Sequence, residues 1–233
     1  MTIVQTTEWE CDTVRLVKLD GLARHPNFPK NRTRSGSYYQ IAGREIRYVI
    51  GHHAAGPDKE GLKQPVGLAN WVVRDPKFKR DEQGNIVYRK TRTGSRPRII
   101  GGGRGWPGAP YHFQIPAIPA IEDGKIIVYR LWDDDWRIWH TGAQWNTHGI
   151  AVNMGGWYAS RHAKSSSAKP QPDATAREGW NRLILDYLMP RYGLKPSEET
   201  LLGHFDAGKA TCPGDYLEAW IRDQRGENAV DLD

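Results

Sequence analysis

His204 and Cys212 stand eight residues apart in Gly203-His-Phe-Asp-Ala-Gly-Lys-Ala-Thr-Cys-Pro-Gly214, a stretch with enough small residues to turn back on itself. Imidazole and thiolate are both good zinc ligands, and the loop is long enough for both to point at one ion. Two protein ligands do not make a site. The best source of a third is His52-His53, which follows the short apolar run Arg47-Tyr-Val-Ile-Gly51. That run reads as a buried strand. Neighbouring side chains on a strand face opposite sides, so only one of the two histidines reaches the metal. Three protein ligands leave one position open, which is the arrangement of a catalytic zinc.

The elements that must hold these residues are interleaved along the chain. Residues 67–73 suit a short helix with Leu68, Trp71 and Val72 on one side. Residues 85–89 alternate after the turn signal at 81–84 and suit a hairpin. The glycine-rich residues 101–108 read as a loop, and no Gly-Lys-Ser/Thr follows to make it a phosphate loop. Residues 109–115, 125–131 and 149–153 read as strands, with Asp123-Gly124 as a turn before the second. Residues 160–172, rich in Ser, Lys and Pro, read as a mobile loop. Asp173 then caps a helix whose buried face holds Ala176, Trp180, Leu183, Ile184, Tyr187 and Leu188, and Pro190 ends it. Residues 196–199 look like a short helical start. The last helix begins near Asp215 and buries Leu217, Trp220 and Ile221. The fold class expected from this order is α/β, a mixed central β-sheet flanked by helices.

Bulk properties narrow the function. The 233 residues, 38% of them hydrophobic, with ten Trp and ten Tyr, describe a globular chain with ample core. No stretch is apolar for long enough to span a membrane, and the first ten residues lack the pattern of a secretory signal, so synthesis in the cytoplasm is expected. Cys11 and Cys212 are the only cysteines, which excludes a disulfide framework but not a single bridge. The net charge of +6 is concentrated. Residues 77–104 carry nine Lys and Arg against two acids, a net +7, so the rest of the chain is close to neutral. Such a segment suits an anionic polymer or membrane surface, a nucleic acid, or simple solvation.

Four ordered blocks carry a resemblance. They are Tyr48-Val-Ile-Gly-His-His-Ala-Ala-Gly56, Gly105-Trp-Pro-Gly-Ala-Pro-Tyr-His-Phe113, Asn146-Thr-His-Gly-Ile-Ala-Val152, and Gly203-His204 through Cys212-Pro-Gly214. In order and spacing the chain resembles the zinc-dependent N-acetylmuramoyl-L-alanine amidases, a superfamily shared by phage endolysins, cell-wall recycling amidases and animal peptidoglycan recognition proteins. The resemblance implies zinc held by His52, the first of the histidine pair, with His204 and Cys212, in a surface groove. It implies that Tyr111 points at the attacking water and the scissile carbonyl. It also implies that Trp106, His140 and Asn146 line the substrate groove, although packing suits His140 and a turn role suits Asn146 equally well. Many relatives have Lys or Thr two residues before the last ligand. Here Ala210 stands there, flanked by Lys209 and Thr211, and Lys209 is the candidate substitute.

The expected function is hydrolysis of the amide between N-acetylmuramic acid and L-alanine in peptidoglycan by a phage or prophage endolysin. Zinc would polarise the carbonyl and supply hydroxide near neutral pH. One amidase domain is expected over residues 1–233, with a motif core at 48–222 and a basic insertion at 77–104. It is expected to be a monomer that acts on the cell wall or periplasm after release. The basic segment would contact anionic envelope polymers, with no nucleic acid involved. The rivals are a peptidoglycan-binding module without activity and a zinc peptidase cutting the stem peptide.

Overall fold

A computed structural model describes residues 2–30, 37–54, 56–91, 94–158 and 171–227. Most of the loop expected at 160–172, and Arg92 of the basic segment, lie outside the described residues. The central sheet is built from β1 (Val4–Glu10), β2 (Val14–Asp20), β3 (Tyr48–His53), β4 (Phe113–Ile115), β5 (Lys125–Arg130), β6 (Gly149–Met154) and β7 (Leu201–Gly203). Their spatial order is β1-β2-β5-β4-β6-β3-β7, with the short strand Ile121–Glu122 paired to β5. β4, β6, β3 and β7 run parallel, while β1 with β2 and β5 with β4 are antiparallel. The mixed sheet is therefore as the interleaved pattern predicts.

Both faces of the sheet are buried, which is why its inner strands read as continuous apolar runs. On one face Leu16, Val49, Phe113, Val128, Ile150 and Val152 pack under Trp180, Leu183, Leu217 and Ile221. On the other, Val17, Ile127 and Tyr129 pack with Tyr38, Ala69, Trp132 and Ile138. The two clusters alternate along β2 and β5, as the two-residue period of a strand requires. The helices over the first face are α3 (Ala174–Asn181) and α4 (Asp215–Gln224); α1 (Lys63–Val72) and α2 (Ala143–His148) come earlier in the chain. Asp173 caps α3 by accepting the Thr175 N–H at 2.8 Å. Among the described residues no helix is long and apolar enough to cross a membrane.

Several expectations are corrected. β1 and β2 extend the sheet at one edge, two strands that the sequence reading does not include. The helix at 67–73 begins at Lys63, and its Trp71 is exposed, with the Arg104 guanidinium 5.2 Å from the ring. Residues 99–102 form a strand against Pro76–Phe78, so the glycine loop starts later. β4 is shorter than 109–115 because Pro110 brings no N–H to a ladder. The helix does not stop before Pro190: it runs on from α3 through a π-helical stretch, Arg182–Leu188, and a last turn, Met189–Arg191. The wider winding moves the carbonyls that a proline ring would otherwise meet one turn back. Residues 197–200 make a turn closed by Ser197 O, not a helix. Cys11 and Cys212 are both free.

Candidate functional site

β3 and β7 are parallel neighbours, with Gly51 opposite Gly203. The ladder continues through the His204 N–H to Gly51 O at 3.2 Å. The next residue on each strand is a histidine, so His52 and His204 share a face at the carboxyl ends of the strands, where open α/β sheets place their ligands. The imidazole centroids are 4.7 Å apart. A side chain on Gly51 would meet Trp180 and Ile221 at 3.0 Å, so that face belongs to the helices and His52 must turn the other way. His204 is held by its neighbours. Asp206 accepts the Gly203 N–H at 2.8 Å, and Arg225 of the last helical turn grips both Asp206 and Leu201 O.

Cys212 closes the triangle. Its Sγ lies 3.8 Å from His52 Nδ1, and the ligand atoms of His52, His204 and Cys212 all fall within 4.8 Å of one another. Neighbouring donors of a tetrahedral zinc stand about 3.5 Å apart, so the donor set and spacing fit that ion. Burial holds His52 well below its ordinary pKa, with His204 adding to the effect. Burial likewise lowers His204 to about 4, helped by the Lys209 charge. Both histidines are thus kept neutral, as ligation requires. Burial raises the Cys212 thiol to about 12, so it is a poor nucleophile by itself and becomes a thiolate only against a cation.

His53 faces away from this triangle. It accepts the Tyr158 N–H at 3.3 Å, and burial lowers its pKa to about 4, against the opposing pull of the Asp215 carboxylate at the start of α4. Tyr111 is beside His52, ring centroids 5.1 Å apart. Burial, with the Cys212 thiol nearby, raises its hydroxyl well above the ordinary value, so Tyr111 keeps its proton. Lys209 is exposed, and its charge reaches both His204 and Cys212. Trp106 is half-buried on the approach to Tyr111.

Behind His52 stand Asn146, which the sequence singles out, and Thr141 and Arg44, which it does not. Thr141 Oγ1 sits 3.3 Å from His52 Nε2 and 2.8 Å from His140 Nδ1. Asn146, on α2, accepts the backbone N–H groups of His140, Thr141 and Gly142 at 3.1, 2.9 and 3.1 Å. Its carbonyl is spent on folding the loop that carries Thr141, and Asn146 itself is buried. The turn role is therefore the one its contacts display. His140 stacks edge-on against His52 at 5.5 Å. Arg44 locks α2 in turn, donating to Asn146 O, Thr147 O and Gly149 O and, across the gap, to Asp134 O and Trp136 O. The only signal for Asn146 was its place in a block; Thr141 gave none. Partners that orient a metal-binding histidine typically matter about 10–100-fold to metal affinity. Thr141→Val and Asn146→Ala are accordingly expected to weaken zinc binding by about that factor. Competition titration with a chromogenic chelator measures it, and unchanged affinity in both would remove the loop from the site.

His112, one residue after Tyr111, is a structural histidine. Its Nδ1 accepts the Ala151 N–H at 3.1 Å and its Nε2 donates to Trp136 O at 2.9 Å, which fixes a neutral ring. Burial and the Arg44 charge hold its pKa well below 6.5. The unfolded chain takes up a proton below 6.5 that the folded ring refuses. The stability this ring contributes is therefore complete above pH 6.5 and is lost as pH falls, by up to about 1.4 kcal/mol per pH unit. Urea midpoints at pH 7.5, 6 and 5 test this: His112→Asn should flatten the fall by roughly one proton's slope, and an unaltered slope would rule the ring out as its source.

A family model described as N-acetylmuramoyl-L-alanine amidase matches residues 42–215. No curated protein matches the chain. Among solved structures, Drosophila PGRP-LB is similar over 84% of this chain and 91% of its own, at 16% identity and a TM-score of 0.52. Drosophila peptidoglycan recognition protein SD is similar over 82% and 88%, at 16% identity and a TM-score of 0.50. The N-acetylmuramoyl-L-alanine amidase LysC from Clostridium intestinale covers 92% of this chain and 99% of its own, at 16% identity and a TM-score of 0.48. At these identities the likeness of the two Drosophila proteins is one of fold.

Proposed function

We propose, from the premise that the chain belongs to the N-acetylmuramoyl-L-alanine amidase family, that it is a zinc-dependent hydrolase of the amide joining N-acetylmuramic acid to L-alanine in peptidoglycan. The observation that carries this reading is the convergence of His52, His204 and Cys212 at the carboxyl ends of β3 and β7. On this reading those three side chains hold the ion and the whole chain acts as one amidase domain, an endolysin of a phage or prophage.

When bound, zinc supplies a Lewis acid that polarises the amide carbonyl and makes water nucleophilic at neutral pH. His52 presents Nδ1 towards Cys212, and Thr141 Oγ1 at Nε2 fixes the ring's orientation. Tyr111, protonated across the working pH range, donates its O–H to the carbonyl oxygen as charge develops there. Lys209 brings a positive charge to the open side of the site and is the candidate proton source for the departing amine. Trp106 offers an aromatic wall to the glycan. His140 and Asn146 position the loop behind His52.

Product analysis of digested peptidoglycan decides the reaction. The expected products carry new L-alanine amino termini and intact glycan. Cleavage inside the stem peptide would assign a peptidase instead, and tight binding without any product would assign a recognition module.

A further inference from the structure

The basic insertion folds into an arm with an interior. Residues 76–78 pair with 99–102, the chain turns at 81–85, and Tyr88–Thr91 pairs with Gly94–Pro97. Together with the segment around Lys30 the arm encloses an open groove of about 1290 Å³, larger than the ~300–1,000 Å³ of ordinary small-molecule sites. Among the described residues five exposed cations line it, Lys30, Arg80, Arg89, Arg96 and Arg104, against one acid, Asp75. The strand register sets Arg89 directly opposite Arg96. Cross-strand partners share a face of the ribbon, so the two guanidinium groups can take one phosphate between them in bidentate fashion. Arg104 and Trp106 line part of it, and five positions after Trp106 the chain reaches Tyr111, whose ring lies against His52.

We propose that this groove is a second binding site, taking a phosphodiester strand carried on the same glycan whose peptide enters the cleft at Tyr111. The substrate class this implies is peptidoglycan bearing an anionic phosphate polymer, and the inference rests on the amidase reading given above. Four arginines among five cations favour planar, bidentate recognition of phosphate over a diffuse charge field. The size and open shape of the groove suit a polymer. The short run of chain from Trp106 in the groove to Tyr111 in the cleft favours a strand attached to the substrate over a free nucleic acid or a membrane surface.

Cell walls with phosphodiesters intact, and the same walls stripped by cold hydrofluoric acid, separate the possibilities. Sedimentation of the full chain carrying Cys212→Ser, which does not digest the walls, gives affinity. Binding to intact walls at low salt is expected to be at least about tenfold tighter than to stripped walls. The gap should close in about 1 M salt, where the Debye length is about 3 Å, and in the double variant Arg89→Gln/Arg96→Gln. That variant should melt within a degree or so of its parent, because both side chains are exposed; a clearly lower melting temperature would make the two arginines part of the fold and overturn the proposal. Equal affinity for both walls, salt-sensitive binding that survives stripping, or tighter binding to duplex DNA or anionic vesicles would each overturn it too. Initial hydrolysis rates of the unaltered chain give a second measurement, expected to be higher on intact walls. Release of L-alanine amino termini from stripped walls reports on the amidase reading by itself, so the two can fail separately.

Discussion

Replacing Cys212 with serine is expected to strip the protein of zinc and to lower amide hydrolysis by at least about 10³-fold, the equivalent of some 4 kcal/mol of transition-state stabilisation. A hydroxyl is a much weaker zinc ligand than a thiolate, and His52 with His204 alone leaves a two-coordinate remnant. The fold should survive the change. Cys212 sits in the loop after His204 and outside the central sheet, whose core is supplied by Trp180, Leu183, Leu217, Ile221 and the strands beneath them. Metal analysis, near-ultraviolet circular dichroism and turnover on purified peptidoglycan read the three quantities independently. Retained activity with no bound metal would end the zinc mechanism. Chelation of the unaltered chain should reproduce the loss, and zinc should reverse it. Lost activity that zinc does not restore would point to damage elsewhere.

The convergence of His52, His204 and Cys212 was legible because each belongs to a marked motif at the end of a strong element. Tyr48–His53 is an apolar strand that cannot lie anywhere but inside a sheet, and the residue after each of Gly51 and Gly203 is a histidine. Choosing His52 over His53 from the sequence drew on the family resemblance. In the structure the same choice follows from Gly51, whose face is filled by Trp180 and Ile221. What could not be read were the distant contacts that no motif marks. Arg44 reaches five carbonyls between residues 134 and 149, and Thr141 meets His52 across 89 positions. β1 was missed because it is an exposed outer strand whose side chains, Gln5, Thr6, Thr7, Glu8 and Glu10 among them, carry no apolar period. β2 carries Val14, Leu16, Val17 and Leu19, which divide between the two faces of the sheet and so show no single alternating stripe. The π-helical stretch is a tertiary solution to Pro190 inside a packed helix, and local pattern predicts a stop there instead.

Tyr111→Phe is expected to lower kcat about 10²–10³-fold, the usual cost of one oxyanion donor, with zinc content and KM little changed. The ring stays, so its packing against His52 is preserved; only the hydroxyl is lost. That hydroxyl is held protonated by burial beside Cys212, which suits a donor and disqualifies it as a base near neutral pH. The loss should therefore be the same at pH 6, 7 and 8, since nothing at Tyr111 titrates in that interval. Lys209→Ala makes the useful contrast. Its charge lies on the open side of the site, near His204 and Cys212, so its removal should alter the pH profile of turnover as well as its height. If Tyr111→Phe turned over normally, the oxyanion would have to be stabilised by the ion and Lys209 alone. If Tyr111→Phe lost zinc, its role would be to support His52 and not to meet substrate. A kcat loss that is flat with pH, on a fully metallated protein, is the outcome that places the Tyr111 hydroxyl at the carbonyl.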